Sequence, residues 1–308
     1  MRFRPLIALL LCLACQRDER PAEAIQASAV ADDRPVDGGT LYRRLDVDVV
    51  TLNPAVSTTR NDRLVSQYIF TPVIHLDRNL QAIPGLADSW DISDDGLTYR
   101  FHLNKKATFS DGKPVRAADL IFTLRKIVDP ASEALQIAGA FEYLDLTKTR
   151  ALDDHTAEIV FRQPLATQLT RFNDVLVLPE HVYSKGSFRA DYNETAVGSG
   201  PYVLVRREHG NEIVLQRRKD YWGDRPHIER VVWRVINDHG VAFNALRLGQ
   251  VDETILTADT WVRERNNPEV TKTIDFQRFY TLNYNYIAWN TRHPALRDKR
   301  VRRALAMC

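Results

Sequence analysis

Residues 98–103 alternate between polar and apolar side chains, so that Tyr99, Phe101 and Leu103 share one face of an extended chain. Residues 155–161 repeat this alternation. Because successive side chains of a strand point to opposite faces, both segments predict strands with one buried side and one side in solvent.

A different spacing begins at residue 117. Apolar residues recur three or four positions apart, as in an amphipathic helix, at Ala117, Leu120, Ile121, Leu124 and Ile127. Residues 129–130 are Asp-Pro and predict the end of this helix, because proline disfavours the helical conformation of the residue before it.

Residues 60–76 also show a helical pattern. Leu64, Tyr68 and Ile69 would share one face of this helix. Pro72 predicts a break or a kink, because it lacks a backbone N–H and clashes with the preceding turn.

Turn residues predict a hairpin later in the chain. Residues 198–202, Gly-Ser-Gly-Pro-Tyr, indicate a sharp turn that leads into strands 202–207 and 212–217. A strand over 228–236 and a helix over 241–248 follow, and Gly249 is suited to cap that helix. Strands and helices therefore mix along the chain, which predicts an α/β fold.

Residues 85–114 carry a motif with a strand between two turn signals, Asp-Asp-Gly at 94–96 and Ser-Asp-Gly-Lys-Pro at 110–114. This motif closely resembles the signature of the extracellular solute-binding proteins of family 5, the peptide and nickel receptors of ABC importers. Further hallmarks follow in the family's order: Leu-Pro-Glu-His-Val-Tyr at 178–183, Asp-Tyr-Trp-Gly-Asp-Arg-Pro at 220–226, Gly-Gln-Val-Asp at 249–252 and Asp-Lys-Arg-Val-Arg-Arg-Ala-Leu at 298–305.

The resemblance implies the type-II periplasmic binding fold and a domain division. Residues 38–66 and 193–280 would form the first lobe, and residues 67–192 an inserted α/β subdomain. Residues 281–308 would begin a second lobe that is mostly missing, because the family continues well beyond the helix at which this sequence stops. The sequence is therefore interpreted as a C-terminally truncated form, with a natural short form as the alternative.

The first residues resemble a secretory signal. Arg2 and Arg4 precede a short apolar run over 6–14, which is too short to span a bilayer. Ala14 before Cys15 resembles a lipobox, so residues 1–14 are predicted to be a signal peptide and Cys15 a lipidated residue. Residues 15–37 read as a flexible tether, and the location as periplasmic or extracytoplasmic. The alternative is an ordinary signal cleaved near residues 22–24.

Composition narrows the function. The chain has 42 basic and 40 acidic residues, and removal of residues 1–14 leaves 40 of each, which argues against nucleic-acid binding. Cys12, Cys15 and Cys308 provide no structural disulfide, since the first leaves with the signal and the second takes lipid. A monomer without a cofactor is expected.

Catalytic and metal motifs are not evident in the sequence. The eight histidines are scattered, and the Asp-rich turn at 91–96 has His102 where a calcium loop needs glutamate. Residues 198–200 lack the spacing of a nucleophile elbow, and no phosphate-binding loop is present. The carboxylates of Asp46, Asp48, Asp94 and Asp95 show no sign of an apolar pocket that would raise their pKa values.

The resemblance implies three segments that line the ligand cleft. They are Thr58, Thr59 and Arg60; Thr254, Ile255 and Leu256; and the face Tyr284, Tyr286 and Asn290 of an aromatic strand predicted over 282–290. Ala288 replaces an acidic residue that oligopeptide receptors often carry. The tyrosines would equally suit a sheet core, and Arg60 a solvated loop.

The predicted function is that of the substrate-binding lipoprotein of an ABC importer. It would capture a peptide or another small solute outside the cytoplasmic membrane and deliver it to the permease, without catalysis. The sequence does not choose among peptide, nickel chelate, haem and sugar. The alternatives are a non-binding relic or interaction module and a secreted hydrolase.

Overall fold

The computed structural model describes residues 34–279 and 287–307, and the chain divides into two compact units, Met1–Trp261 and Val262–Cys308. The first unit contains, in chain order, β1 (Gly38–Leu45), α1 (Arg60–Ile69), β2 (Ile74–Leu76), β3 (Ala82–Pro84), β4 (Ala87–Ile92), β5 (Thr98–Leu103), α2 (Ala117–Val128), α3 (Leu135–Ala138), β6 (Arg150–Ala151), β7 (Thr156–Val160), α4 (Gln168–Arg171), α5 (Glu180–Tyr183), β8 (Tyr202–Glu208), β9 (Glu212–Arg217), β10 (Ile228–Val235), α6 (His239–Arg247) and most of α7 (Ala258–Glu264).

A mixed four-stranded sheet has the order β1-β10-β9-β8. Its outer pair, β1 and β10, is parallel, with Leu41 opposite Val231 and Leu45 opposite Val235, whereas the other pairs are antiparallel. Val231, Val232 and Trp233 are buried in succession on β10. Consecutive burial shows that both faces of this strand are covered.

A second four-stranded sheet, β4-β5-β7-β6, is antiparallel throughout. The alternation predicted for its central strands is confirmed, because the apolar face is buried at Tyr99, Phe101, Leu103, Ala157, Ile159 and Phe161. The opposite face carries ion pairs, such as Arg100 Nε to Glu158 Oε2 at 2.8 Å. One face of this sheet thus meets the core, and the other carries charged residues that are exposed on β5 and buried at Glu158 of β7.

The helix predicted from residue 117 is confirmed as α2, which ends before Asp129 and buries the predicted apolar stripe. The helix predicted from residue 60 is confirmed as α1, it breaks before Pro72 as predicted, and Leu64, Tyr68 and Ile69 all pack toward the core. The helix α1 ends at Ile69, three residues before Pro72, and its buried positions include Val65 and Ile69, while Leu64 and Tyr68 are half-buried. Phe70 is already extended, and its N–H still donates to the Ser66 carbonyl at 2.8 Å as the C-cap of α1.

The predicted hairpin is confirmed as β8 and β9, and α6 starts two residues earlier than predicted because Asp238 caps it through the Val241 N–H. The turn before the hairpin passes very close to the end of α1. A Cβ on Gly198 would lie 2.2 Å from the Ile69 carbonyl oxygen, and a Cβ on Gly200 2.6 Å from the Ile69 carbonyl carbon. Only glycine permits this approach of two backbones.

Arg218 joins the mixed sheet to residues 108–109, which precede α2. Its buried guanidinium donates to the carbonyl oxygens of Thr108 and Phe109, at 3.0 and 3.1 Å, and to that of Gly200 at 3.4 Å. It also pairs with the exposed Asp220 at 3.2 Å. A buried charge is tolerated here because several acceptors surround it.

The second unit contains α8 (Pro268–Thr271), α9 (Pro294–Arg297) and α10 (Lys299–Leu305). The helix predicted from residue 298 is confirmed as α10, with Asp298 as its N-cap. Most of the strand predicted over 282–290 lies outside the described residues, and residues 287–290 have no regular secondary structure.

The predicted division into lobes places each sheet in one region. Every strand of the mixed sheet falls within 38–66 or 193–280, and every strand of the antiparallel sheet falls within 67–192. The boundaries themselves remain a prediction. Within the described residues, no helix has the length and apolar character needed to cross a bilayer.

Candidate functional site

The parallel pairing of β1 and β10 brings the carboxyl ends of two strands to one edge of the mixed sheet. The segments that leave this edge are 46–59 after β1 and 236–238 after β10. The segment around Glu253 lies parallel to β1, because Glu253 forms an isolated β-bridge with Arg43. In open α/β sheets, ligands bind outside the carboxyl ends of the strands, so this edge is the candidate site.

Asp62 organises the segment between β1 and α1. Its fully buried carboxylate accepts hydrogen bonds from the backbone N–H groups of Val50, Thr58 and Thr59, at 2.8, 3.2 and 3.0 Å. The Thr59 hydroxyl accepts in return from the Asp62 N–H at 3.0 Å, which completes a capping box at the start of α1. Three N–H groups on one carboxylate hold this loop in a single conformation.

The predicted residues Thr58, Thr59 and Arg60 lie on this held loop. Thr58 and Arg60 are exposed, and Thr59 is half-buried as the N-cap of α1. Asn61 joins the loop to the end of β1, because its Nδ2 donates to Asp46 Oδ1 at 2.8 Å and to the Val47 carbonyl at 2.6 Å. The hydrogen bond from Asn61 is the main reason that the pKa of Asp46 is lowered.

The far side of the same loop is also fixed. Asn53, which is fully buried, donates to the Phe188 carbonyl at 2.9 Å, and the Leu52 N–H donates to the Asn193 carbonyl at 2.8 Å. Arg207 of the hairpin donates to the Val49 carbonyl. The loop therefore has anchors on α1, on the β8–β9 hairpin and on the segment 188–193.

Arg44 connects the segment 236–238, which follows β10, with the segment around Thr254. Its guanidinium donates to the carbonyl oxygens of Ile236 and Asn237, at 2.8 and 3.1 Å, and contacts the Thr254 hydroxyl at 3.5 Å. Asn237 Nδ2 donates to the Asp46 carbonyl at 2.9 Å. Thr254 and the loop that carries Thr58 are thus both anchored within two residues of the end of β1.

Residues 254–256 give this end of the sheet a polar surface that is bordered by aliphatic side chains. Thr254 and Leu256 are half-buried, and Ile255 is 52% exposed. Hydroxyl groups, an arginine and aliphatic side chains offer hydrogen bonds and apolar contact to a small polar solute. The three residues nonetheless remain predicted ligand contacts, as do Thr58, Thr59 and Arg60.

Several predicted positions fall elsewhere. Tyr284, Tyr286 and the lipidation residue Cys15 lie outside the described residues. Asn290 belongs to the second unit, is exposed, and accepts a hydrogen bond from the Arg292 N–H at 3.1 Å. Their roles remain predictions.

Asp252 shows the structural role of the motif Gly-Gln-Val-Asp at 249–252. The Tyr42 N–H donates to its carboxylate at 2.7 Å, and its own N–H donates to the Tyr42 carbonyl at the same distance. Val251 before it is buried, and Gly249 has a φ of 66°, which ends α6. The motif at 249–252 therefore places the segment of Thr254 beside β1.

Asp119 is a buried carboxyl that the sequence reasoning missed. It accepts hydrogen bonds from the N–H groups of Arg116 and Glu180, at 2.8 and 2.9 Å, and so caps both α2 and α5. Burial raises its pKa. Beside it, His181 Nε2 lies 2.6 Å from Asp111 Oδ2, which joins the motifs at 110–114 and 178–183. An aspartate at the third position of a helix was the available signal for the capping role.

The described residues 34–279 and 287–307 hold no group of three or more His, Cys, Asp or Glu side chains with the arrangement of a metal site. The Asp-rich segment at 91–96 forms a turn, with Gly96 at a φ of 68° and its N–H bonded to the Ser93 carbonyl at 2.8 Å. Asp95 is engaged locally by Ser93, and this hydrogen bond lowers its pKa.

Known proteins of similar sequence and structure are solute-binding proteins. The peptide transport periplasmic protein SapA of Salmonella typhimurium is 30% identical over 93% of this chain and 55% of its own length. The structure of OppA from Burkholderia pseudomallei matches with a TM-score of 0.75 at 24% identity, over 90% of this chain and 56% of that one. Campylobacter jejuni NikZ, solved with Ni(L-His), matches with a TM-score of 0.68 at 24% identity, over 74% and 45%.

These matches establish the predicted type-II periplasmic binding fold. This chain spans about half the length of the curated relatives that it matches. The model of the bacterial extracellular solute-binding proteins, family 5, middle region, matches residues 81–308. The chain therefore belongs to the family 5 of bacterial extracellular solute-binding proteins.

Proposed function

We propose that this protein is the substrate-binding component of an ABC importer, which captures a peptide or a related small solute outside the cytoplasmic membrane and delivers it to the permease. The family membership over residues 81–308 is the observation that carries the proposal. The similar SapA protein is named for peptide transport. The held loop at the carboxyl edge of β1 and β10 supports it, because a loop that is already ordered loses little entropy when a solute binds.

The proposed contacts are Thr58, Thr59 and Arg60 on one segment and Thr254, Ile255 and Leu256 on the other. Hydroxyl and guanidinium groups would hold the polar atoms of the solute, and Ile255 would contact its apolar part. The resemblance to the family also makes Tyr284, Tyr286 and Asn290 proposed ligand contacts. No step of covalent chemistry is assigned to these side chains.

Ligand-dependent melting of the full chain tests the proposal. A ligand at a hundred times its Kd stabilises the native state by about 2.7 kcal/mol, which raises the Tm of a chain of this size by about 4 °C. The probes are random-sequence libraries of di- to pentapeptides. Arg60→Gln and Thr254→Val should weaken the shift, whereas Arg78→Gln, an exposed arginine in a distant turn, should leave it unchanged. A Tm that no probe shifts would favour the non-binding relic or interaction module.

We propose further that Cys15 is lipidated and anchors the protein to a membrane, with residues 15–37 as the tether. The motif Leu-Ala-Cys at 13–15 after a short apolar run supports this. Metabolic labelling with a palmitate analogue should mark the wild-type chain and not Cys15→Ser. A mature N-terminus near residues 22–24 instead would reject the anchor.

A further inference from the structure

A cavity of about 580 Å³ lies on the face of the mixed sheet that packs against α1. Its floor is apolar and consists of Leu41, Tyr202, Ile228 and Val231. Leu41 and Val231 are register partners on the parallel strands β1 and β10. The volume falls within the range of about 300–1,000 Å³ that is usual for small-molecule sites.

The cavity is distinct from the proposed solute site. Leu41 lies four residues before Leu45, the last residue of β1, so the two sites are about 13 Å apart along the strand. None of the residues proposed as solute contacts is among the described residues that line it.

Its wall is rigid and aromatic. The Tyr202 hydroxyl donates to the Ile228 carbonyl at 2.8 Å, and the Tyr68 ring meets the Tyr202 ring edge to face at 5.5 Å. The Tyr68 hydroxyl accepts from Arg43 Nη1 at 2.5 Å. Trp233, which shares the sheet face of Val231, packs on Tyr68 at 5.9 Å, and its indole nitrogen is buried without a partner. Rings held in this way keep their positions when the cavity is empty.

The polar lining is neutral. Gln67, His75 and Asn173 line the cavity beside the apolar floor, and Gln67 and His75 are exposed at its mouth. Desolvation lowers the pKa of His75, which favours its neutral ring. The described lining contains no Asp, Glu, Lys or Arg. The nearest guanidinium groups, those of Arg43 and Arg217, lie behind the lining and are paired with Glu253 and Asp37. A charged molecule would therefore lose hydration without a free counter-charge in the lining.

We infer that this cavity is a second binding site, for a neutral and mainly apolar small molecule that bears one or two hydrogen-bonding groups. Its apolar part packs on Leu41, Tyr202, Ile228 and Val231. Its polar group bonds to Gln67, Asn173 or His75 at the mouth. The inference is independent of the solute that the importer carries.

A matched pair of fluorescent probes tests the charge and the location. N-phenyl-1-naphthylamine is neutral, and 8-anilino-1-naphthalenesulfonate has closely similar rings with a sulfonate. The full chain should bind the neutral probe saturably, with one site and an affinity at least tenfold above that for the sulfonate. Ile228→Trp, which fills the floor, should weaken the neutral probe at least tenfold, whereas Val205→Trp on the exposed part of β8 should not change it.

A second variant avoids any change to the packed floor. Gln67→Lys places a cation at the mouth and should reduce the preference for the neutral probe several-fold, whereas Gln81→Lys makes the same charge change at an exposed position outside the cavity and should have no effect. Light scattering on the same samples gives the oligomeric state. The inference fails if the wild type shows no saturable binding, if a folded Ile228→Trp binds equally well, or if binding appears only when a dimer dissociates, because a second copy then covers this face.

Discussion

The two four-stranded sheets bury their side chains in different ways. In the antiparallel sheet, Tyr99 and Phe101 are buried while Arg100 between them is exposed and paired with Glu158. In the mixed sheet, Val231, Val232 and Trp233 of β10 are buried in succession. A sheet with one wet face leaves an alternating sequence, whereas a strand covered on both faces leaves an apolar run that a helix would equally show. The difference explains why alternation identified β5 and β7, whereas the β8–β9 hairpin of the mixed sheet was predicted from its turn residues.

The largest expected effect is in the antiparallel sheet. Phe101 is fully buried on the central strand β5 and packs on Phe172 at 4.5 Å. Phe101→Ala should therefore lower the free energy of unfolding by about 3–5 kcal/mol through lost burial and a cavity. Urea unfolding measures the loss, and hydrogen exchange should show it in β5 and β7. Ile92→Ala, at an exposed position of the same sheet, should cost less than about 1 kcal/mol. Equal losses would contradict the one-faced burial.

A smaller effect is expected at Arg218, which connects the mixed sheet to the residues that precede α2. Arg218→Met keeps the length of the side chain but leaves the carbonyl oxygens of Thr108 and Phe109 without this donor. We expect a loss of about 1–3 kcal/mol, because the Thr108 carbonyl loses this donor while the Phe109 carbonyl keeps the Gly112 N–H at 3.0 Å. The exposed pair with Asp220 contributes little. Differential scanning calorimetry should show the loss, and a split into two transitions would mean that Arg218 couples the sheets. The exposed Arg78→Met serves as the control, and a matching loss there would reject the role of Arg218.

The smallest effect compares one carboxyl from each region as the pH changes. Burial raises the pKa of Asp119 above the unfolded value of about 3.9, so ionisation costs stability as the pH rises through the folded pKa. Asp119→Asn should lose about 1 kcal/mol at low pH and recover part of it relative to the wild type toward pH 7. The hydrogen bond from Asn61 lowers the pKa of Asp46, whose contribution is present above pH 4 and lost as the pH falls through the folded pKa.

Asp46→Asn should therefore change with pH in the opposite direction to Asp119→Asn, by less than about 1 kcal/mol because Asp46 is exposed. Urea unfolding at pH 3, 4, 5 and 7 gives both profiles. Profiles of the same sign would show that burial and hydrogen bonding do not separate the two carboxyls.

Patterns in the sequence predicted what depends on neighbouring residues. The spacing from Ala117 to Ile127 predicted α2, the turn at 198–202 predicted the β8–β9 hairpin, and the ordered hallmarks predicted the family and its fold. Pro72 predicted that α1 would end, but not the close approach of the turn at 198–200 to the backbone of Ile69. Local propensity has no information about such a contact.

Only the tertiary structure decided which distant segments meet. Leu41 and Val231 pair across 190 residues, Arg44 joins residues 236–237 to Thr254, and Asp62 collects the N–H groups of a loop that begins twelve residues earlier. An aspartate whose carboxylate accepts several backbone N–H groups has no distinctive sequence motif. Its role therefore cannot be recognised from the sequence. The sequence by itself determined the family and the elements with a clear side-chain period or turn signal, such as α2, β5 and the β8–β9 hairpin. The edge that holds the candidate site, and the neutral cavity beside α1, exist only where long-range packing assembles them.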